Sequence, residues 1–370
     1  MRKKLVFLVI LMIVAIFFVL NESKKQIFVD NAKDVSLYTD KDITRVETII
    51  ADASSEQTEV KIKGVISKFA VVEKKDTQYC EKEDTTLISR QNGYNVISNE
   101  SGHNFYYFKE VNGNCEPIGQ IENVNFTEKI VSTYANNSIY TNFESLNDLE
   151  VSGMVRVKKD EIIPFDSPYI RHSNPTAFAN GVLMIENNSN VIAFDKDDKE
   201  LFRQNNEMKS RNVLAINTVD KSLFMVVEYK KKYYLEAYEL ANETSIKTTK
   251  PKVAYNITDF FKNIKDQSAE ITTKKSKSYA SFTLDGSTII VSDDFSKLFL
   301  LSNADTALDL VGSIAVLKKD ELYYVVDLSK KEREHLGNLK ALNFKMNGSN
   351  IFFTIIASNN KELHIRFDLR

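Results

Sequence analysis

The 370-residue chain contains no tryptophan, two cysteines, four histidines, five prolines and eleven glycines. Each shortage excludes something. Two cysteines far apart in sequence are no zinc scaffold. The four histidines, His103, His172, His335 and His364, show no ligand spacing, so structural or exposed positions are expected for them. With so little glycine and proline the chain is no low-complexity linker. An excess of one charge is missing too. The 49 basic and 51 acidic residues leave a net charge of −2, which argues against a nucleic-acid binder and gives no reason to expect a polyanionic substrate. Catalytic signatures are also lacking: there is no G-x-S-x-G, H-E-x-x-H, Walker A loop or G-x-G-x-x-G. No catalytic residue, cofactor or metal ligand is predicted.

What is present reads as a folded chain. Apolar residues make up 43% and charged residues 27%, a globular balance. In place of tryptophan, 23 Phe and 16 Tyr are available to fill a core and to pair across strands. Abundant Lys, Asn, Ile and Ser point to an AT-rich, bacterial coding sequence.

Leu5 to Leu20 form sixteen consecutive residues without a polar side chain. As a helix they span roughly 24 Å, slightly less than a hydrocarbon core of roughly 30 Å, and flanking lysines can snorkel to close the gap. Arg2, Lys3 and Lys4 precede the run, and Asn21-Glu22-Ser23-Lys24-Lys25 follows it without a small-x-small cleavage pattern. Residues 1–25 are therefore expected to be an uncleaved transmembrane anchor. The basic excess before the helix places the N-terminus in the cytoplasm and residues 26–370 outside. In that setting Cys80 and Cys115 are natural partners for a disulfide; a cytosolic domain would keep them as buried thiols.

Residues 26–57 are polar and irregular and are expected to be a linker or stalk. Residues 58–370 alternate short apolar runs with turn residues. Phe105–Val111, Leu223–Glu228, Tyr233–Leu240 and Ile351–Ile356 are examples, all rich in Val, Ile, Phe and Tyr. Asn92-Gly93, Asn180-Gly181, Asp285-Gly286 and Asn347-Gly348 are hairpin dipeptides. Turn signals recur at first roughly every 40 residues, the size of one β-propeller blade, and then drift, with one longer interval that predicts an insertion at 246–277 and shorter ones after it. The expected fold is all-β, propeller-like with about six to eight blades after one transmembrane helix, or alternatively a tandem β-sandwich.

Gly181–Phe202 reads strand, polar turn, strand ending in Asp195, charged turn, strand. Asp285–Leu301 and Asp320–Leu328 have the same cadence. These segments resemble blades of PQQ-like and related bacterial propellers, although the tryptophan that closes such blades is missing. The resemblance implies stacked sheets and a rigid scaffold. Asp195 and Asp197 have the alternate spacing of calcium ligands but lack the Gly and terminal Glu of a calcium loop, so a solvated turn is expected. In the lysine-rich insertion, Thr258 is placed to cap a short helix. Phe260, Phe261 and Ile264 beside lysines form a candidate partner-binding or membrane-surface element.

The expected function is a membrane-anchored, extracytoplasmic binding or scaffold protein of the cell envelope, without catalysis. Its partner would be an envelope protein or glycan. The alternative is a polysaccharide-acting hydrolase or lyase on a propeller scaffold, with paired carboxylates in an axial pocket.

Overall fold

The structure, a computed structural model, describes residues 35–46, the short strands between 49 and 71, and most of 80–369. Residues 1–34 and stretches such as 51–61, 72–79, 145–152, 166–175, 205–210 and 261–270 lie outside the described residues. No helix of the described residues is long and apolar enough to cross a membrane. Leu5 to Leu20 are not among them.

The fold is all-β and propeller-like. Among the described residues, seven sheets of four or five strands follow one another along the chain, beside a short ribbon of Ile49–Ile50 with Ile62–Lys63. We number the sheets I to VII and letter the strands of each a to d in order from the first. Sheet I holds Thr85–Gln91, Tyr94–Asn99, Phe105–Val111 and Asn114–Ile121. Sheet II holds Lys129–Ala135, Ser138–Glu144, Gly153–Lys158 and Glu161–Phe165. Sheet III holds Thr176–Phe178, Gly181–Glu186, Asn190–Asp195 and Glu200–Gln204. Sheet IV holds Arg211–Val219, Ser222–Tyr229, Lys232–Ala241 and Val253–Asn256, with Ser245–Ile246 beside the end of IVc.

Sheet V holds Thr272–Lys275, Tyr279–Leu284, Ser287–Ser292 and Lys297–Leu301. Sheet VI holds Asp305–Val311, Ile314–Lys319, Leu322–Asp327 and Glu332–His335. Sheet VII holds Ala341–Asn347, Asn350–Ile356 and Glu362–Leu369, and takes Ser67–Val71 as strand d. Strands a to d of each sheet are antiparallel neighbours. Because Leu369 stands opposite Ser67, the last described strand of the chain pairs with an early one in sheet VII.

Strands b show why their sequences read as continuous apolar runs instead of alternating ones. Leu223, Met225 and Val227 of IVb pack toward sheet III, against Leu183, Ile185 and Val191. Phe224 and Val226, the intervening residues, pack toward sheet V against Phe282, Ile289 and Val291. Ile290 in turn faces Leu317, Tyr324 and Val326 of sheet VI. A sheet covered on both faces buries every residue of its middle strands. Val96, Phe105 and Tyr107 of sheet I join Ile139 and Val157 of sheet II in the same way. Strands a of sheets I to VI lie side by side in succession.

Two stretches differ from the sequence expectation. Residues 36–46, expected within a stalk, form strands. Ser36–Thr39 pairs parallel with Vd, and Thr44–Val46 pairs parallel with VId. The segment is tightly fastened. Tyr38 stacks on Phe299 at 4.9 Å between ring centroids, and Ile43 is buried in the core between sheets V and VI. Asp40 accepts from the Ser302 amide at 2.8 Å and its hydroxyl at 2.9 Å, and pairs with Arg333 at 3.7 Å. The 246–277 stretch is likewise no mere insertion, since it supplies IVd and Va. Both were hidden because strands of three or four residues at sheet edges are too short to show an apolar period.

Candidate functional site

The connections of the fold are asymmetric. Strands a and b are joined by two or three residues in every sheet. The links from strand d to the next strand a run from three residues (302–304) to fifteen (257–271). Antiparallel order puts the b–c turns on the same edge as these d–a links. One edge of the domain therefore carries the tight a–b turns, together with the eleven-residue link from IVc to IVd (242–252), and the other carries most of the long connections, where variable surfaces for partners belong.

Residues expected to matter fall in different places. Leu5 and Leu20 lie outside the described residues, as do Phe261 and Ile264. Phe260 packs against the core between sheets IV and V. Thr258 does not begin a described helix. Its hydroxyl accepts from the Tyr233 amide at 2.9 Å and its amide donates to Asn256 Oδ1 at 3.0 Å, which fixes a turn. Cys80 and Cys115 are joined by a disulfide with Cα atoms 5.4 Å apart, tying the chain between sheets VII and I to strand Id. Cys80 is buried, and Asn95 Nδ2 donates to its sulfur at 3.4 Å. His335 and His364 sit in strands VId and VIIc; His103 and His172 lie outside the described residues.

The aspartates that gave the blade-like cadence close turns. Asp195 Oδ1 accepts from the amides of Asp197 and Lys199 at 2.8 and 2.9 Å. Asp327 Oδ1 accepts from the Ser329 and Lys330 amides at 2.9 and 3.2 Å. Asp294 Oδ1 accepts from the Ser292 hydroxyl and the Ser296 amide. These Asx turns hold the c–d corners of sheets III, VI and V. Among the described residues no group of His, Cys, Asp and Glu is arranged to hold a metal ion.

Two polar constellations escaped the sequence. The first lies between sheets III and IV, where Arg211 Nη2 donates to Glu236 Oε2 at 2.5 Å and the Tyr238 hydroxyl donates to the same oxygen at 2.7 Å. Both charged groups are buried, and burial together with the Glu236 charge pushes the Tyr238 hydroxyl well above its ordinary range. A satisfied buried pair of this kind pins one sheet arrangement, since a lone buried charge is costly. It faces core, not solvent, and its role is structural.

The second stands where strands IVa, Va and VIa meet, on the tight-turn edge. Lys274 and Lys275 end strand Va, both exposed. Lys275 Nζ donates to Thr218 Oγ1 at 3.2 Å. The buried Asn217 side chain donates to the carbonyls of Lys274 and Ser281 at 2.8 and 3.3 Å, clamping the backbone beneath the lysines. Desolvation near the end of strand Va lowers the Lys275 ammonium to about 8, although its side chain is largely exposed. On the far side, burial raises the Asp309 carboxyl above its usual range, against the Leu310 amide and Lys274, which favour its charged form. No sequence motif marks this cluster, because its members come from three sheets.

No family model matches the chain, and no curated protein matches it. Solved structures of similar shape include the Neurospora crassa Pan2 WD40 domain, 8% identical with a TM-score of 0.44 over 76% of this chain and 88% of that one. U3-55K is 6% identical with a TM-score of 0.44, over 78% of this chain and 99% of that one. A prolyl endopeptidase is 9% identical with a TM-score of 0.42, over 76% of this chain and 46% of that one. The PQQ-like resemblance gains no family match. The described fold, all-β and propeller-like, rests on the sheet topology.

Proposed function

We propose that this protein is a membrane-anchored, extracytoplasmic binding or scaffold protein of the cell envelope. Residues 5–20 are the anchor in this reading, and the β domain is displayed outside. The observation that carries it is the Cys80–Cys115 disulfide, which uses both cysteines of the chain. Such bonds persist in oxidising compartments. The fold suits display, because stacked sheets hold most of the long connections along one edge. The partner is an envelope protein or glycan that meets this edge.

Intact cells carrying the chain tagged at both ends provide the test. External protease is expected to remove the C-terminal tag and spare the N-terminal one. In-cell cross-linking followed by affinity purification is expected to recover a stoichiometric envelope partner. Protection of the C-terminal tag until lysis would overturn the topology; the absence of any partner in pull-down and glycan-binding assays would overturn the binding role.

A further inference from the structure

The chain enters the β domain on one particular edge. The Ser36 amide donates to the Ser296 carbonyl at 2.8 Å, in the corner between Vc and Vd. Ser36–Thr39 then runs parallel to Vd, with Ser36 opposite Lys297, the first residue of that strand. Corners between strands c and d share the edge of the a–b turns, so Ser36 stands on the tight-turn edge. Residues 21–34 separate it from the apolar run that ends at Leu20. Fully extended they span at most roughly 50 Å, a reach that by itself does not choose which edge meets a bilayer.

Charge distinguishes the two edges. Across the seven sheets, the a–b and c–d links contain ten lysines and seven acidic residues, a net charge of +3. The b–c and d–a links contain eleven basic and eighteen acidic residues, a net charge of −7. The basic excess gathers beside the entry of the chain, in sheets IV to VI. Among the described residues of their tight-turn links, Lys221, Lys252, Lys277 and Lys330 are exposed, against Asp220 and Asp294. Lys330 keeps 60% of its side chain open to solvent even though Asp327 lies 3.8 Å away. Ser276 donates to the Gly312 carbonyl at 2.7 Å, which ties the turns of sheets V and VI into one surface.

We propose, on the reading of residues 5–20 as an anchor, that this edge rests on anionic lipid headgroups of the membrane that holds Leu5 to Leu20. An anionic surface attracts lysines within about a Debye length, roughly 10 Å in 0.1 M salt, and repels the acidic edge. Both forces turn the domain the same way. The edge with most of the long connections then faces away from the bilayer and stays open to a partner.

The test uses the purified full-length chain in vesicles of phosphatidylcholine alone or of phosphatidylcholine mixed with phosphatidylglycerol. Flotation shows whether the chain is anchored. A membrane-impermeant acylating reagent then modifies the lysines, and mass spectrometry reads the rate at each one. Lys221, Lys252, Lys277 and Lys330 are expected to react severalfold more slowly in the anionic vesicles, and high salt to abolish the difference. Lys230 and Lys231, at the tip of the IVb–IVc hairpin on the opposite edge, are expected to react alike in both. Lys252→Glu, Lys277→Glu and Lys330→Glu together are expected to restore fast modification of Lys221 while leaving the circular dichroism spectrum unchanged. A chain that floats with neither vesicle would remove the anchor and this orientation with it. A chain that floats, but whose two sets of lysines respond alike to anionic lipid, would overturn the orientation and leave the anchor standing.

Discussion

At Gly181 the chain has no room for a side chain. A Cβ built there would stand 1.9 Å from the Phe194 carbonyl oxygen, which belongs to the neighbouring strand and cannot swing aside. Gly119 offers the contrast, since its nearest neighbour at 2.8 Å is the terminal methyl of Ile162, a group able to rotate away. Gly181→Ala is therefore expected to lower stability by about 3 kcal/mol or more, and Gly119→Ala by about 1 kcal/mol or less. Chemical denaturation of the two variants checks the order, and equal midpoints would contradict it. A hairpin near Asn180-Gly181 was legible from sequence alone, and IIIa does pair with IIIb there, with Gly181 as the first residue of IIIb opposite Phe178. That the glycine is needed for close approach to a third strand was not legible, because Phe194 enters the argument only once the sheet has formed. Lys275 teaches the same lesson. Its depressed ammonium means that the unfolded chain binds more protons between about pH 8 and the ordinary lysine value, so this group adds stability as pH rises through that window.

At the scale of elements, several hairpins announced themselves in turn dipeptides, while others, and one edge segment, did not. Asn92-Gly93 and Asp285-Gly286 place glycine at positive φ, +80° and +73°, as primed turns require. The IVb–IVc hairpin has Lys230 and Lys231 at φ 49° and 63°, a conformation that costs a non-glycine residue about 1–2 kcal/mol. The flanking strands override that cost, because Leu223 to Val227 are buried on both faces of the sheet. The other hidden element is the segment from Ser36 to Val46. Its worth can be measured with two truncations, one starting at residue 35 and one at residue 58. The longer is expected to match the intact chain, and the shorter to lose at least about 2 kcal/mol, the scale of burying Ile43 alone. Identical unfolding midpoints for the two would show that the segment is the passive stalk its composition suggested.

At the scale of the molecule, the disulfide and the closure of sheet VII act on the same region. Strand VIId comes from Ser67–Val71, and the chain then passes Cys80 before entering sheet I. The bond spans a sequence separation of 35, and closing such a loop is worth roughly 3–4 kcal/mol through the unfolded state. Reduction is expected to lower the unfolding midpoint accordingly, and a Cys80→Ser, Cys115→Ser chain to be insensitive to reductant. No change on reduction of the intact chain would show that the bond adds nothing to stability. By itself the sequence determined the class of the domain: short Val-, Ile- and aromatic-rich runs, punctuated by turn dipeptides, admit strands and little else. It also determined the approximate repeat, since each unit of three or four strands is a local meander. Only the tertiary structure decided which faces meet, that residues 36–46 pair with sheets V and VI, and that Lys275 meets Thr218. Local turns and periods are written in neighbouring residues, whereas contacts between sheets depend on how whole strands stack to bury both faces.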